Sequence, residues 1–217
     1  MSALKPLADW FGGLPQVILM DLDGTLVDSA ADIALSLNRA LADLGLGAVT
    51  EAQVRDWVGR GAARLIEVAL QHVVPHHAQD PQRHAVEARL LAAFMTRYQD
   101  SVCEASTVYP GVAEFVAAAR AAGIRLACVT NKPYRPAVAL LEALNLLDAF
   151  ELVIGGDSLA HKKPHPEPLL HCLRHFEVTA AQALMVGDSR NDVDAAKAAG
   201  VKSLALPYGY NHGEPIE

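Results

Sequence analysis

Acidic, hydroxyl and basic side chains follow several short apolar runs in this sequence, where they could act together on a small anion. Four segments carry them: Asp21-Leu22-Asp23-Gly24-Thr25, Thr130-Asn131-Lys132, Lys162-Lys163-Pro164 and Gly187-Asp188-Ser189-Arg190-Asn191-Asp192. Carboxylates, a hydroxyl and an ammonium group are the side chains that hold a divalent cation and a phosphoryl group.

Three of the acids, Asp21, Asp188 and Asp192, would repel one another at a shared centre unless a cation joined them. Two unit charges about 4 Å apart interact by ~4 kcal/mol at an effective dielectric constant of about 20. The three side chains offer only oxygen ligands, with no histidine or cysteine among them, which suits a hard ion. The sequence therefore predicts a Mg²⁺ site.

The same segments predict chemistry on a phosphoryl group. Lys163 and the metal would neutralise its charge, and Thr130, with Asn131 beside it, would bind it. Asp21 is the candidate nucleophile, which would form a covalent aspartyl phosphate. Asp23 is the candidate acid that protonates the leaving group and then takes a proton from water.

Five apolar runs precede or accompany these segments and are typical of strands buried on both faces of a parallel sheet. The runs are Val17 to Met20, Ile124 to Val129, Leu152 to Ile154, Ala183 to Val186 and Ser203 to Leu206. Helices are predicted between the later runs, at 112–122, 136–144, 166–176 and 192–199. The alternation predicts an α/β fold with a Rossmann-like, doubly wound parallel sheet. Ligands of such sheets bind beyond the carboxyl ends of the strands, where the strand order switches.

Roughly a hundred residues separate the first run from the second, and their periodicity is helical. We predict a small inserted helical domain, residues 29–105, over an α/β core made of residues 1–28 and 106–217. Four helices are expected in this domain. The first begins at a capping box of Ser29 and Asp32 and ends at Gly45, and the second runs from Thr50 to Gly59. The third spans 62–73, and the fourth begins with Asp80 as N-cap and Pro81 as first residue.

Composition narrows the class of protein. The 217 residues include 18 Lys plus Arg and 25 Asp plus Glu, a net charge of −7, which argues against a nucleic-acid binder. Three cysteines without a CxxC pair favour a reducing compartment, and the first 16 residues contain neither a signal-peptide core nor a membrane span. We therefore expect a cytoplasmic protein with no membrane contact. Its oligomeric state, monomer or homodimer, stays open.

Together the four segments resemble, in order and type, the four motifs of the haloacid dehalogenase-like phosphatases, and they span nearly the whole chain. The resemblance implies that Asp21 and Asp188 bind Mg²⁺ through their carboxylates, Asp23 through its main-chain carbonyl, and that Asp192 orients the metal site. Because Asp23 is present, a phosphate ester is favoured over the halide or phosphonate substrates of other branches. The insertion resembles the helical type of cap in that family.

Three further segments resemble the bacterial phosphoglycolate phosphatases: Trp57-Val58-Gly59-Arg60-Gly61, Tyr109-Pro110-Gly111-Val112 and Tyr208-Gly209-Tyr210-Asn211. The likeness implies that the substrate is a small phosphate ester, with 2-phosphoglycolate, split to glycolate and phosphate, as the leading candidate. It also implies that the cap turn selects the substrate. Alternatives are a sugar-phosphate or amino-sugar-phosphate phosphatase, a phosphotransferase like beta-phosphoglucomutase, and an idle phosphate-sensing module.

Several residues keep a second interpretation. Arg60 would bind a substrate carboxylate or face solvent, since many relatives carry an uncharged residue there. Lys162, and not Lys163, could be the working lysine, and Thr130 could merely end its strand. The histidines at 72, 76, 77 and 84 are irregularly spaced, so a solvated loop is favoured over a zinc site.

Overall fold

A computed structural model of the chain describes residues 4–74, 76, 79 and 81–211. In chain order the elements are α1 (Lys5–Phe11), β1 (Val17–Met20), β2 (Val27–Asp28), α2 (Ala30–Asp43), α3 (Glu51–Trp57), α4 (Ala62–Val73), α5 (Arg83–Asp100), β3 (Thr107–Val108), α6 (Val112–Ala121), β4 (Arg125–Val129), α7 (Tyr134–Ala143), β5 (Leu152–Ile154), α8 (Glu167–Phe176), β6 (Ala183–Gly187), α9 (Arg190–Ala199) and β7 (Lys202–Ala205).

Five of these strands form one parallel sheet in the order β5-β4-β1-β6-β7. Every residue of β1 and β6 is buried, because helices cover both faces of the sheet. Along β1, Ile18 and Met20 pack into the core that holds residues of α6 and α7, whereas Val17 and Leu19 pack into the core that holds residues of α8 and α9. The predicted α/β fold is confirmed.

The strand order explains where a ligand site must lie. The chain builds β4 and β5 on one side of β1, and then β6 and β7 on the other side. The order therefore switches at β1, and the crevice beyond its carboxyl end lies between the ends of β4 and β6. Asp21 is the first residue after β1.

Helices α2 to α5 form a separate layer with its own hydrophobic core, which includes Leu37, Ile66, Leu70 and Leu90. The chain passes between this layer and the sheet twice, and the two passages pair as the short antiparallel strands β2 and β3. The division into a core and an inserted domain at residues 28/29 and 105/106 remains a prediction. Among the described residues, no helix has both the length and the apolar character that a membrane span needs.

Predicted boundaries shift by up to two residues at most elements, and α1 has no counterpart in the predictions. The fourth cap helix begins at Arg83, after Gln82 as N-cap, so Pro81 precedes the helix. Asp80 and His77 lie outside the described residues. The capping box of Thr50 and Gln53 is present, and α3 ends at Trp57, just before the predicted stop at Gly59.

The predicted capping box of Ser29 and Asp32 is wrong. Ser29 precedes α2 without a side-chain cap, because its hydroxyl donates instead to Asp23 Oδ1 at 2.5 Å. The buried Asp32 carboxylate accepts hydrogen bonds from the main-chain N–H groups of Ala105 and Ser106 at 2.8 and 2.7 Å. Asp32 thus ties the start of the cap to the chain that returns from it.

We expect Asp32→Ala to lower the free energy of unfolding by roughly 3 kcal/mol, because two buried N–H groups and the Ser106 hydroxyl would lose their acceptor. Urea denaturation measures this change. Asp43→Ala, which removes an exposed ion pair with Arg97, is the control and should change stability far less, because solvent screens exposed pairs. Equal losses in the two variants would contradict the assignment of Asp32.

Candidate active site

The predicted site residues meet at the carboxyl end of the sheet. Asp21 follows β1, Thr130 follows β4 and Asp188 follows β6, while Lys163 reaches them from the loop before α8. All four are buried. A water-excluded cluster of this kind strengthens electrostatic interactions between its members and any ligand.

Asp21 is held in place by two contacts on one oxygen. Its Oδ1 accepts a hydrogen bond from the Leu22 N–H at 2.7 Å and lies 3.0 Å from Lys163 Nζ. Burial raises the pKa of the Asp21 carboxyl well above its usual range, Lys163 lowers it, and Asp192 and Asp188 raise it further. None of the described residues donates a hydrogen bond to Oδ2, so the contacts that fix this carboxylate all fall on Oδ1.

Lys163 is enclosed by acids. Its Nζ lies 2.6 Å from Asp192 Oδ1 as well as 3.0 Å from Asp21 Oδ1, and its side chain is 1% exposed. Burial by itself would lower the pKa of the ammonium, but Asp192 and Asp21 raise it above its usual value. Lys163 therefore stays charged beside Asp21. Lys162 points elsewhere, since its Nζ lies next to Gly61 in the cap.

Asp21, Asp188 and Asp192 present carboxylate oxygens within 4.8 Å of one another. Burial raises the pKa of Asp188 to about 6, and Asp192 adds to that rise, because neighbouring carboxylates disfavour each other's charge. Oxygen donors that are crowded, buried and only partly neutralised by Lys163 fit a hard divalent cation. Both oxygens of Asp192 also have protein partners. Oδ1 accepts a hydrogen bond from Lys163 Nζ, and Oδ2 accepts one from the Ser189 hydroxyl at the start of α9.

Gly24 allows the loop after β1 to approach Asp188. A Cβ atom at this position would lie 2.3 Å from Asp188 Oδ2, and the backbone φ of +84° is one that L residues rarely adopt. Thr25 Oγ1 then donates to Asp188 Oδ1 at 2.8 Å, and the Tyr210 N–H donates to Oδ2. Asp188 is therefore fixed from the acidic loop and from the segment after β7.

Asp23 lies beside Lys132, a partner that the sequence alone does not predict. Lys132 Nζ contacts Asp23 at 2.9 and 3.1 Å, and it lies 4.6 Å above the ring of Tyr98 in α5. With the hydroxyl of Ser29, Lys132 holds the Asp23 carboxylate in one orientation. The signal for Lys132 was its place directly after Thr130-Asn131, but its partner depends on tertiary structure.

Thr130 and Asn131 use their side chains differently. The Thr130 hydroxyl accepts from the Lys132 N–H at 3.1 Å and keeps its own hydrogen to donate to a ligand. Both hydrogens of the Asn131 amide group go to carbonyl oxygens, of Gly59 and of Lys163, each at 2.9 Å. Asn131 Oδ1 is buried without a partner among the described residues. Its side-chain amide therefore has no hydrogen left for a phosphate.

A cavity lies between this cluster and the cap. Its polar lining comes from the core, and its apolar lining comes largely from the cap. The polar residues are Asp21, Asp23, Thr130, Asn131 and Lys132, and the cap supplies Ile33, Val58, Leu65, Phe94 and Met95. This arrangement places polar side chains of the core opposite apolar side chains of the cap, a combination typical of small-molecule sites.

The structure does not bring Arg60 into this lining. Gly59 and Gly61 on either side of it line the cavity, but the Arg60 side chain is exposed. Of the described cap histidines, His72 contacts Gln53 and His84 contacts Glu87, and none belongs to a group of metal-capable ligands. The segments that were predicted to hold the site thus converge, apart from Arg60.

Comparison with known proteins agrees with this arrangement. Residues 18–206 match the family model described as haloacid dehalogenase-like hydrolase. The phosphoglycolate phosphatase of Colwellia psychrerythraea is 45% identical over 93% of this chain and 88% of its own length. The crystal structure of a predicted phosphoglycolate phosphatase from Haemophilus somnus superposes with a TM-score of 0.84 at 37% identity, covering 93% of this chain and 89% of that one.

A second similar structure is CbbY from Rhodobacter sphaeroides, solved as a variant in complex with xylulose-(1,5)bisphosphate. It superposes with a TM-score of 0.77 at 28% identity, covering 93% of this chain and 90% of that one. The family match extends over most of the chain and contains Asp21, Asp188 and Asp192. This chain belongs to the haloacid dehalogenase-like hydrolase family.

Proposed function

We propose that this protein is a Mg²⁺-dependent phosphatase that hydrolyses a small phosphate monoester through a phosphorylated Asp21, with 2-phosphoglycolate as its leading substrate. One observation carries the proposal: Asp21 is buried between Lys163 and Asp188 at the switch point of the sheet, beside a cavity that Asp23 and Thr130 also line.

Asp21 and Asp188 would hold the metal, together with the main-chain carbonyl of Asp23, and Asp192 would orient it. When bound, Mg²⁺ supplies positive charge that offsets the phosphate dianion. The crowding of the three carboxylates supports this assignment, because a cation removes their mutual repulsion.

In the first step, an Asp21 carboxylate oxygen attacks phosphorus and the bond from phosphorus to the ester oxygen breaks. Lys163 and the Thr130 hydroxyl stabilise the charge on the transferring group. Asp23 gives a proton to the departing alkoxide. In the second step, Asp23 takes a proton from water, the water oxygen bonds to phosphorus, and the bond from phosphorus to Asp21 breaks, which restores the carboxylate.

The cavity supports a small substrate. Its apolar cap residues lie opposite its polar core residues, and Lys132 is the basic side chain among the described lining residues. The carboxylate of 2-phosphoglycolate would approach Lys132, because the exposed Arg60 lies outside the cavity lining. The relatives named phosphoglycolate phosphatase support this substrate over others.

A sugar phosphate is the second candidate, because CbbY, which has the same fold, was solved with a sugar bisphosphate. The two candidates are separated by kcat/KM over a panel of phosphate esters, measured with Mg²⁺ and with a chelator. We expect the highest value for 2-phosphoglycolate and loss of turnover with chelator. A higher value for a sugar phosphate would reassign the substrate, and release of no phosphate from any ester by folded protein would refute the enzyme class.

Mg²⁺ affinity should depend on pH. Because the pKa of Asp188 is raised to about 6 and that of Asp21 is also raised, protons compete with the metal below that pH. We expect affinity to fall by roughly tenfold for each pH unit below about 6, for each proton displaced. Calorimetric titration at pH 5 and pH 7 measures this change, and equal affinities at both values would contradict the assigned ligands. Asp188→Asn should bind Mg²⁺ weakly at both.

A further inference from the structure

The carbonyl oxygen of Gly59, in the cap, accepts hydrogen bonds from two side chains of the core. Asn131 Nδ2 donates to it at 2.9 Å, and Asn191 Nδ2 donates to it at 3.2 Å. Asn131 follows β4, whereas Asn191 lies in the first turn of α9. Two residues from different parts of the core, both near the carboxyl end of the sheet, therefore bind the same atom of the loop between α3 and α4.

This loop lies directly against the core. Gly59 and Gly61 have φ values of 109° and 87°, in the region that favours glycine. A Cβ on Gly61 would lie 2.6 Å from Lys162 Nζ and 3.3 Å from the Asn131 carbonyl oxygen. Because both glycines also line the cavity, the hydrogen bonds to Gly59 hold this wall of the cavity against the core.

Asn131 connects this contact to the nucleophile. The second hydrogen of its amide group goes to the carbonyl oxygen of Lys163 at 2.9 Å, and Lys163 Nζ lies 3.0 Å from Asp21 Oδ1. One buried amide thus holds the cap loop and the segment that carries the active-site lysine. Among the described contacts, the Asn191 side chain bonds to the Gly59 carbonyl and not to the Lys163 segment.

We propose that Asn131 and Asn191 are positioning residues that hold the cap loop closed over the cavity, and that Asn131 also couples this closure to the position of Lys163. The kinetic part of the proposal rests on the proposed function. The structural part concerns the loop itself and does not depend on turnover.

The two asparagines should therefore differ in effect. Asn191→Ala loosens the loop but leaves Lys163 in place, so we expect KM to rise at least threefold with kcat within twofold of the wild type. Asn131→Ala loosens the loop and releases the Lys163 segment, so we expect kcat to fall at least tenfold in addition. A purely structural role for both residues would not divide KM and kcat in this way.

The rate of limited trypsin digestion measures how accessible the loop is, because the exposed Arg60 makes the bond to Gly61 a cleavage site on the loop. We expect cleavage after Arg60 to accelerate at least fivefold in both variants, relative to cleavage after Arg83. Asp194→Asn, an exposed change on α9, is the matched control and should cleave like the wild type. If Asn131→Ala fails to fold, Asn191→Ala still tests the loop and Asn131→Asp takes over the kinetic comparison.

Unchanged cleavage in the asparagine variants would overturn the proposal that they hold the loop. An unchanged kcat in the Asn131 variant would overturn the coupling to Lys163. If the wild-type protein hydrolyses no ester, the proposed function fails, and the cleavage rates still decide whether the asparagines hold the cap.

Discussion

Asp21→Asn is expected to lower kcat by roughly 10⁴- to 10⁶-fold, the loss seen when a covalent nucleophile is removed. The asparagine side chain has nearly the same shape but lacks the negatively charged oxygen that attacks phosphorus. Its amide also fits the hydrogen bond from Leu22, since it can present its carbonyl oxygen there. The fold should therefore survive, and steady-state phosphate release measures the effect.

The control for this variant is Asp148→Asn, an exposed position before β5 and hence towards the opposite edge of the sheet, which should retain wild-type turnover. Thermal unfolding of both variants shows that they are folded. Equal turnover by Asp21→Asn and the wild type would mean that another group attacks the substrate or that the measured activity is a contaminant.

Lys163→Met is expected to lower kcat by roughly 10²- to 10³-fold, the loss that follows removal of one group that stabilises transition-state charge. It also leaves Asp21 and Asp192 without their buried cation, since both contact Lys163 Nζ. An uncompensated buried charge is strongly destabilising, so the acids would take up protons instead. The pKa of Asp21, already raised in the folded protein, should rise further.

The sign of the stability change follows from proton binding. A carboxyl whose pKa is higher in the folded state binds more protons when folded, so it favours the folded state at low pH and loses that contribution as pH rises towards the folded pKa. Without Mg²⁺, Lys163→Met should therefore lose more stability than the wild type when pH is raised from 4 to 7. Urea denaturation at the two pH values measures the difference.

Lys162→Met is the matched control, because this neighbouring lysine has no ion-pair partner among the described residues and points to the cap turn. It should change turnover by less than Lys163→Met and show the pH dependence of the wild type. A larger loss of turnover in Lys162→Met would identify Lys162 as the working lysine and contradict the assignment of Lys163.

The position of the candidate site at the carboxyl end of the sheet could be predicted from sequence, because short local patterns of residues indicate each strand and the residue that follows it. Buried strands with no polar alternation indicate a parallel sheet, and the residue that follows each strand must lie at one edge. Asp21 after β1, Thr130 after β4 and Asp188 after β6 satisfy this rule. Their roles in metal binding and catalysis remain predictions.

The contacts across the site were not predictable in the same way. The Ser29 hydroxyl had two possible uses, a helix cap or Asp23, and only the packed structure selects Asp23. The pairing of Lys132 with Asp23 depends on how the ends of β1 and β4 face each other. The contacts of Asn131 and Asn191 with Gly59 depend on how the cap lies on the core. Local patterns of polarity do not encode such geometry.

The most direct test of the account is to find where phosphorus goes. Enzyme mixed with 2-phosphoglycolate and Mg²⁺ is quenched with acid during turnover, reduced with borohydride and digested, and the peptides are analysed by mass spectrometry. We predict that Asp21 alone is converted to homoserine, in wild type and not in Asp21→Asn. Modification of a different residue, or active turnover with Asp21 never modified, would contradict the account.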